Sequence, residues 1–222
     1  MRCALRWVGP APAATPDHKA GHADDESGRD DTGGTCPACT RDPPSFDRTL
    51  ALVDYSPPVD RLLQNLKFRG QLPLATALGT LLARAAATLP AVNAMAAART
   101  GSALPLLLPV PLSRERLAER GFNQAHEIAR PLARILRLKI AMGVCVRSRH
   151  TDAQATLTMD ERRVNMRGAF AVLQRQALIG KTVFVVDDVM TTGHTLESLA
   201  SCLKRHGAAH VFNFVIARTP AR

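Results

Sequence analysis

The sequence predicts an α/β fold in which a central, mainly parallel sheet is flanked by helices. Two continuous apolar runs, residues 104–110 and 183–186, lack the alternation of half-exposed strands and indicate strands that are covered on both faces. Apolar residues at helical spacing follow each run, as they do in parallel α/β sheets. The 222 residues suffice for one domain of ordinary size and a small appendage. We assign residues 1–45 to an N-terminal extension and residues 46–222 to the main domain.

The first half of the main domain is predicted to contain one strand and two helices. The strand is expected at residues 46–55. The next segment has helical periodicity, and its apolar residues are Val59, Leu62, Leu63, Leu66 and Phe68. This helix presents Lys67, Arg69 and Gly70 at its end, where the two bases have either a role at a substrate or the ordinary role of a solvated helix end. A second helix is expected at residues 73–87.

The strand at residues 104–110 is predicted to lead into a cationic exit loop and then into a helix that runs to about residue 138. The cations are Arg114, Arg116 and Arg120. Cations and exposed amides at the end of a strand, here including Asn123 and Gln124, suit a pyrophosphate because arginine pairs well with phosphate oxygens. A solvated helix start is the alternative. Pro131 is expected to kink the helix.

A third strand is predicted at residues 140–146, and a long polar loop follows it. Loops of this length are usually functional lids or disordered. Arg147 and Arg149 in this loop are suited to closing over phosphates, and the alternative is a basic loop without a role. Short strands are then expected at residues 169–173 and 210–217, on either side of the apolar run at 183–186.

Asp187 and Asp188 follow the apolar run at 183–186, which places them at the carboxyl end of a predicted strand, where ligands bind in open α/β sheets. They are expected to bind sugar hydroxyls, a Mg²⁺ ion or both. The next residues form a phosphate-sized loop before a helix that should begin near Gly193, and they are Thr191, Thr192, Gly193, His194 and Thr195. A helix amino end preceded by hydroxyls and a glycine binds anions. A sugar phosphate is therefore the predicted ligand.

Composition and charge indicate which kinds of partner this protein could bind and where it is expected to reside. The net charge is +10, and residues 17–31 hold six acids and two bases, so the remainder is strongly basic. This suits a highly charged phosphate substrate or nucleic acid. Nine aromatic residues without basic-aromatic interleaving do not support base stacking along single strands. No apolar run is long enough to span a bilayer and no signal peptide is evident, so we expect a cytoplasmic protein.

The N-terminal extension contains half of a zinc-ribbon pattern. Cys36 and Cys39 form a CxxC pair, but a ribbon needs two such pairs, and only Cys3 precedes them. His18 and His22 lie in the acidic segment at irregular spacing. We therefore expect no structural zinc, and residues 9–35 are expected to be a linker.

Four segments together resemble the ComF family of phosphoribosyltransferase-like proteins. They are LLQNLKFRG, LLLPVPLSRERLAERGFNQA, TDAQATLTMDERRVNMRGAF and VFVVDDVMTTGHT, which occur in the family's order within residues 36–219. The resemblance implies a Rossmann-like type I phosphoribosyltransferase fold, phosphoribosyl pyrophosphate as substrate, Mg²⁺ as cofactor and an N-terminal zinc ribbon in many members. It also implies, for some members, a link to natural competence and DNA uptake. Most of the ribbon cysteines are missing here, and Ser113 stands where His is expected in many relatives.

The resemblance also implies roles for individual residues. Asp187 and Asp188 would be the catalytic acids that hold the ribose hydroxyls and Mg²⁺, while Thr191, Thr192, Gly193, His194 and Thr195 would bind the 5′-phosphate. The pyrophosphate would meet Arg114, Arg116 and Arg120. Thr191 replaces an acid found in purine-salvage relatives, which disfavours purine salvage. The acceptor and the oligomeric state stay open, and single-stranded DNA or competence proteins are the alternative partners.

Overall fold

The chain is described here from a computed structural model, which covers residues 5–6, 37–89, 92, 104–148 and 168–219. Six strands of these residues form one sheet in which all neighbouring pairs are parallel. The strands are β1 (Leu5–Arg6), β2 (Arg48–Asp54), β3 (Leu106–Pro109), β4 (Lys139–Ile140), β7 (Thr182–Met190) and β8 (His210–Arg218). Their order in the sheet is β1-β2-β8-β7-β3-β4. The predicted α/β fold with a mainly parallel sheet is confirmed.

A second, two-stranded antiparallel sheet pairs β5 (Cys145–Arg147) with β6 (Phe170–Val172). The six α-helices that the structure describes are α1 (Pro37–Arg41), α2 (Val59–Arg69), α3 (Leu72–Ala87), α4 (Arg114–Arg120), α5 (Gln124–Leu136) and α6 (His194–Arg205). Buried residues of α6 and of the small sheet form the core on one face of the main sheet, and those of α2, α3 and α5 form the core on the other. The main sheet is therefore covered on both sides.

The central strand β7 explains why its sequence shows no alternation. Val183 and Val185 belong to the core on the α6 side, whereas Phe184 and Val186 belong to the core on the α5 side. All four side chains are fully buried. Both faces of β7 are apolar because each lies against a layer of helices.

The strand predicted at residues 140–146 is wrong as one element. Residues 139–140 form β4 beside β3, whereas residues 145–147 form β5 in the small sheet. Gly143 lies between them with a φ of 70°, a backbone conformation that glycine adopts readily. An apolar run with this glycine in its middle changes direction instead of continuing as one strand.

The exit loop predicted after β3 is also wrong, because residues 114–120 form helix α4, which is the helix start given as the alternative. The Ser113 side chain caps this helix by accepting a hydrogen bond from the Arg116 N–H at 3.4 Å. Glu115 lies in the first turn, and Gly121 ends the helix with a φ of 76°. Ser at the N-cap, an acid in the first turn and Gly after the last turn are ordinary helix signals.

β7 extends further than the apolar run predicted. It continues to Met190, and its pairing with β8 holds through Asp187 opposite Val215 and Met190 opposite Arg218. The two acids therefore lie inside the last part of the strand and not after it. Backbone hydrogen bonding to a neighbouring strand fixes this strand end independently of side-chain polarity.

Asp47, just before β2, connects α6 to the start of β8. Its Oδ2 accepts a hydrogen bond from the Val211 N–H at 2.7 Å, and its Oδ1 accepts one from Lys204 Nζ at 3.1 Å. His210 Nδ1 lies 3.6 Å from Oδ1. Burial by itself would raise the pKa of Asp47, but the hydrogen bonds from Val211 and Lys204 hold it below its usual value.

Replacing Asp47 by Asn should lower the free energy of unfolding at pH 7 by about 0.5–1 kcal/mol, because water screens the charge of this exposed residue. A carboxylate with a lowered pKa stabilises the fold at pH values above its unfolded pKa, and this contribution is lost as pH falls through its folded pKa. The difference between D47N and wild type should therefore shrink as pH falls below about 4. Urea unfolding between pH 3 and pH 7 measures it. A pH-independent difference would contradict the assignment, and E119Q on the exposed side of α4 is the control.

Candidate functional site

The acid pair, Asp187 and Asp188, lies where the connections of the sheet diverge. From β7 the chain continues through α6 to β8 on one side, whereas from β3 it continues through α5 to β4 on the other side. β3 and β7 are neighbours, so the crevice between the two connections opens at their carboxyl ends. Ligands bind at such switch points in open α/β sheets.

The two acids have different surroundings because neighbouring side chains of a strand point to opposite faces. Asp188 faces the α5 side, where it meets α2 and α5. Asp187 interacts electrostatically with Arg147, which belongs to the small sheet on the other side. The carboxylates also bond to the following backbone, since Asp187 Oδ1 accepts from the Asp188 N–H at 2.9 Å and Asp188 Oδ1 accepts from the Val189 N–H at 2.8 Å.

A buried polar chain connects Asp188 to α4. Gln124, the first residue of α5, donates from Nε2 to Asp188 Oδ2 at 3.4 Å. Its Oε1 accepts from Arg120 Nη1 at 2.8 Å. Lys67 Nζ, from the last turn of α2, lies 4.0 Å from the same Asp188 oxygen. Gln124 and Asp188 are 5% and 6% exposed, so the chain is shielded from water and its geometry is well defined.

Asn123 fixes the position of Gln124. Its Oδ1 caps α5 by accepting from the Ala125 and His126 N–H groups at 2.9 and 3.4 Å. Its Nδ2 donates to the Val110 carbonyl, 3.0 Å away, just after β3. The start of α5 is therefore attached to the end of the strand that neighbours β7, and this attachment brings Gln124 to the acid pair.

The charges around the acid pair are mostly positive. Burial raises the pKa of Asp187 well above its usual value, and the charge of Asp188 raises it further, while Lys67 opposes this. Burial lowers the pKa of Arg120, against the effect of Asp188. Burial likewise lowers the pKa of Arg147, and the charge of nearby Arg116 contributes. Four cations thus surround two carboxylates, an excess of positive charge that suits a ligand with several phosphate charges.

The phosphate loop, residues 191–195, follows β7 directly and leads into α6. Gly193 occupies the N-cap position with a φ of 77° and has no side chain that could accept from the first N–H groups of the helix. The Thr192 Oγ1 and His194 Nδ1 atoms lie 3.1 Å apart. The twelve-residue helix α6 directs its amino end toward the carboxyl edge of the sheet, and such an end attracts anions.

The structure brings most of the predicted site residues to one edge of the sheet. Asp187, Asp188, the phosphate loop, Arg120 and Arg147 meet there. Arg116 belongs to the same group through its charge interactions with Arg120 and Arg147. Arg114 is exposed at the start of α4. Arg149 and the rest of the predicted lid lie outside the described residues.

Sequence reasoning did not place Gln124 beside Asp188, and it left the role of Lys67 open. The sequence signal of Gln124 is its place among the amides that follow the strand predicted at residues 104–110. Lys67 stands in the last turn of α2, where a base is favoured by the helix dipole alone. Only the sheet topology brings either side chain to Asp188.

The acid pair fits a hard cation. Asp187 and Asp188 are consecutive in β7 and offer carboxylate oxygens, the ligands that Mg²⁺ prefers, at the carboxyl edge of the sheet. Among the described residues, no group of three His, Cys, Asp or Glu side chains could hold a metal ion. Mg²⁺ is commonly held by one or two carboxylates together with substrate oxygens, so this site would need a ligand to complete it.

Comparisons with known proteins agree with this architecture. The family model described as phosphoribosyl transferase domain matches residues 118–222. A protein of Escherichia coli O157:H7 named DNA utilization protein YhgH is 35% identical over 186 residues, which cover 83% of this chain and 78% of that protein. Competence protein F of Haemophilus influenzae is 29% identical over 184 residues, 82% of this chain and 78% of that protein.

This chain belongs to the ComF family. The relationship extends to Competence protein ComFC of Bacillus subtilis, which is 33% identical over 120 residues, 51% of this chain and 45% of that protein. The resemblance inferred from four segments is thereby confirmed. Within this ComF-family chain, the match to the phosphoribosyl transferase domain includes Arg120, Gln124, Arg147, the acid pair and the phosphate loop.

Two other expectations concern a zinc site in the N-terminal extension of this ComF-family chain and helices that could cross a membrane. Cys39 is buried near the end of α1, but the other candidate zinc ligands, Cys3, Cys36, His18 and His22, lie outside the described residues, so the expected absence of zinc stays a prediction. The described helices include none that is both long and apolar enough to cross a membrane.

Proposed function

We propose that this ComF-family chain binds phosphoribosyl pyrophosphate with Mg²⁺ and transfers the phosphoribosyl group to an acceptor. The observation that carries the proposal is the acid pair at the switch point, which is followed directly by the phosphate loop and surrounded by Lys67, Arg116, Arg120 and Arg147. This arrangement offers carboxylates to ribose hydroxyls, a helix amino end to a monophosphate and cations to a pyrophosphate.

The proposed binding mode assigns one part of the ligand to each group. The phosphate loop holds the 5′-phosphate with backbone N–H groups and hydroxyls. Asp187 and Asp188 orient the ribose hydroxyls, and they are the residues that would hold Mg²⁺. When bound, Mg²⁺ supplies a compact double charge to the pyrophosphate oxygens. Arg116, Arg120 and Arg147 neutralise the remaining charge of the pyrophosphate.

Catalysis would then be mainly electrostatic. As the bond between ribose C1 and the pyrophosphate oxygen breaks, its electron pair leaves with the pyrophosphate, and the ribose develops positive charge. Fixed cations at the leaving group stabilise that separation of charge without reorganising. The acceptor itself attacks C1, so the reaction requires no nucleophilic side chain. Gln124 is a positioning residue because it keeps Arg120 and Asp188 in a fixed relation.

Calorimetry of the full chain with phosphoribosyl pyrophosphate, with and without Mg²⁺, tests the binding step. We expect saturable binding that weakens strongly when Mg²⁺ is removed by a chelator. Release of pyrophosphate on addition of candidate acceptors then tests the transfer step. The proposal fails if no binding is detected with Mg²⁺ present.

The alternative is a non-catalytic role in DNA uptake, in which a basic surface binds single-stranded DNA or a protein partner. The observations that favour it are the net charge of +10 and the relatives' names, DNA utilization protein and Competence protein. Binding to a single-stranded oligonucleotide should then weaken steeply with salt, because counterions are released. The logarithm of the association constant should fall by several units for each unit of the logarithm of the salt concentration. Fluorescence anisotropy across a salt series measures this slope. Flat or absent binding at low salt would remove the alternative.

A further inference from the structure

Phe68 lies at the rim of the site in an arrangement that the binding of phosphoribosyl pyrophosphate does not explain. It is 74% exposed, more than any other large apolar side chain of the described residues. An exposed phenylalanine forgoes the stabilisation that burial would give it. Its neighbour Lys67 lies 4.0 Å from Asp188, so the last turn of α2, which carries Phe68, adjoins the acid pair.

Arg120 joins Phe68 to the site. The Arg120 Cζ atom lies 5.8 Å from the centroid of the Phe68 ring, while its Nη1 donates to Gln124. One guanidinium therefore contacts the ring at one end and the polar chain to Asp188 at the other. The planar guanidinium and the aromatic ring are both surfaces on which flat groups stack.

Leu117 extends this surface along α4. It is 45% exposed and stands three residues before Arg120, so the two side chains leave the helix on the same side. We call the group of Phe68, Leu117 and Arg120 the Phe68 ledge. Cations flank the ring, since Lys67 and Arg69 are its neighbours in sequence and the Arg120 guanidinium lies over it.

We propose that the Phe68 ledge binds the acceptor, and that the acceptor is a small, planar, negatively charged heteroaromatic ring. The inference rests on the proposed function, since it places this ring next to the ribose held by the acid pair. Stacking on Phe68 and Arg120 selects a flat molecule, and the adjoining cations select a negative charge. The ledge offers one aromatic ring, which suits a compact acceptor.

The transfer that follows is balanced without a further reactant. A ring nitrogen of the acceptor donates its lone pair to ribose C1, and the C1–oxygen bond to pyrophosphate breaks. The electron pair of that bond leaves with the pyrophosphate. Any proton on the attacking nitrogen passes to water, and nothing is oxidised or reduced.

The test uses the full chain and two small anionic probes. Quinoline-3-carboxylate is planar and heteroaromatic, and cyclohexanecarboxylate has the same charge without a flat ring. Ligand-observed NMR titrations compare wild type with F68A, with F68W, which retains a stacking ring, and with I179A. Ile179 is 57% exposed and precedes β7, at the opposite edge of the sheet, so I179A is a matched loss of exposed apolar surface.

We expect F68A to bind quinoline-3-carboxylate about tenfold more weakly than wild type, as when a stacked base loses its aromatic partner. F68W and I179A should bind it as wild type does, and cyclohexanecarboxylate should bind weakly to all four proteins. Equal affinity of wild type and F68A for the quinoline would overturn the proposal. So would an equal loss of affinity for both probes, because stacking would then not be the cause.

Two further measurements separate this proposal from the function it rests on. Calorimetry with phosphoribosyl pyrophosphate and Mg²⁺ is run on the same four proteins. If wild type does not bind this ligand but binds the quinoline through Phe68, the proposed function fails and the planar-ligand site stands. If F68A loses affinity for oligothymidylate while its affinity for the quinoline is unchanged, the ring serves nucleic acid bases and the acceptor proposal is overturned.

Discussion

Replacing Asp187 and Asp188 together by Asn should abolish measurable binding of phosphoribosyl pyrophosphate in the presence of Mg²⁺. The change removes both carboxylates that would hold ribose hydroxyls and the cation, while it keeps the shape of the side chains. Each lost charged hydrogen bond weakens binding by about 1.5–3 kcal/mol, so the loss of several should exceed about 100-fold in affinity. Calorimetry on D187N/D188N and on wild type measures it.

A matched control, D60N, and the single variant D187N test this prediction further. Asp60 lies in the first turn of α2, at the other end of the helix from Lys67, so D60N makes the same chemical change away from the site. D60N should bind as wild type does. Burial and Asp188 disfavour the charged form of Asp187, so D187N should unfold at no lower temperature than wild type. Wild-type affinity in the folded double variant would contradict the assignment of the acid pair.

Replacing Gln124 by Ala should weaken binding of phosphoribosyl pyrophosphate about tenfold and lower the free energy of unfolding by about 1–3 kcal/mol. The reason is that Asp188 Oδ2 and Arg120 Nη1 both lose a partner in a site that water scarcely reaches. Arg120 would then no longer be held where it is proposed to meet the pyrophosphate. Calorimetry and urea unfolding of the same preparation measure the two effects.

Gln124→Glu distinguishes positioning from simple packing. It keeps the size of the side chain but replaces the amide donor by a third carboxylate beside Asp188. If Gln124 only filled space, Q124E would bind as wild type does, whereas a positioning role predicts a loss at neutral pH from repulsion with Asp188. Q71A is the control, since Gln71 is an exposed residue at the start of α3 whose side chain makes no cap hydrogen bond.

The fold could be predicted where the pattern depends on local packing. The continuous apolar run at 183–186 indicated a strand covered on both faces, and β7 is the central strand between two cores. The helix that ends at Gly70 and the helix that begins at His194 also follow from periodicity and capping residues. The local signals of helix α4, Ser113 and Gly121, agree with the alternative of a solvated helix start after β3.

The chemistry of the site could be predicted from the sequence, but the complete set of its residues could not. Asp187, Asp188 and the phosphate loop are adjacent in sequence, so a single segment shows that acids and a phosphate-binding loop occur together. Gln124 and Asp188 are 64 residues apart and meet because β3 and β7 are neighbours in the sheet. Lys67 reaches the same oxygen from a helix on the α5 side of the sheet.

The sequence alone determined the class of this protein, an α/β chain with an acid pair and a phosphate loop at one strand end, because hydrophobic periodicity and capping act over a few residues. The tertiary structure decided which side chains complete the site. Strand order and the attachment of α5 to the end of β3 bring Gln124, Arg120 and Lys67 to Asp188, and they place Phe68 at the rim. These contacts depend on pairing between distant segments, which no local pattern of residues encodes.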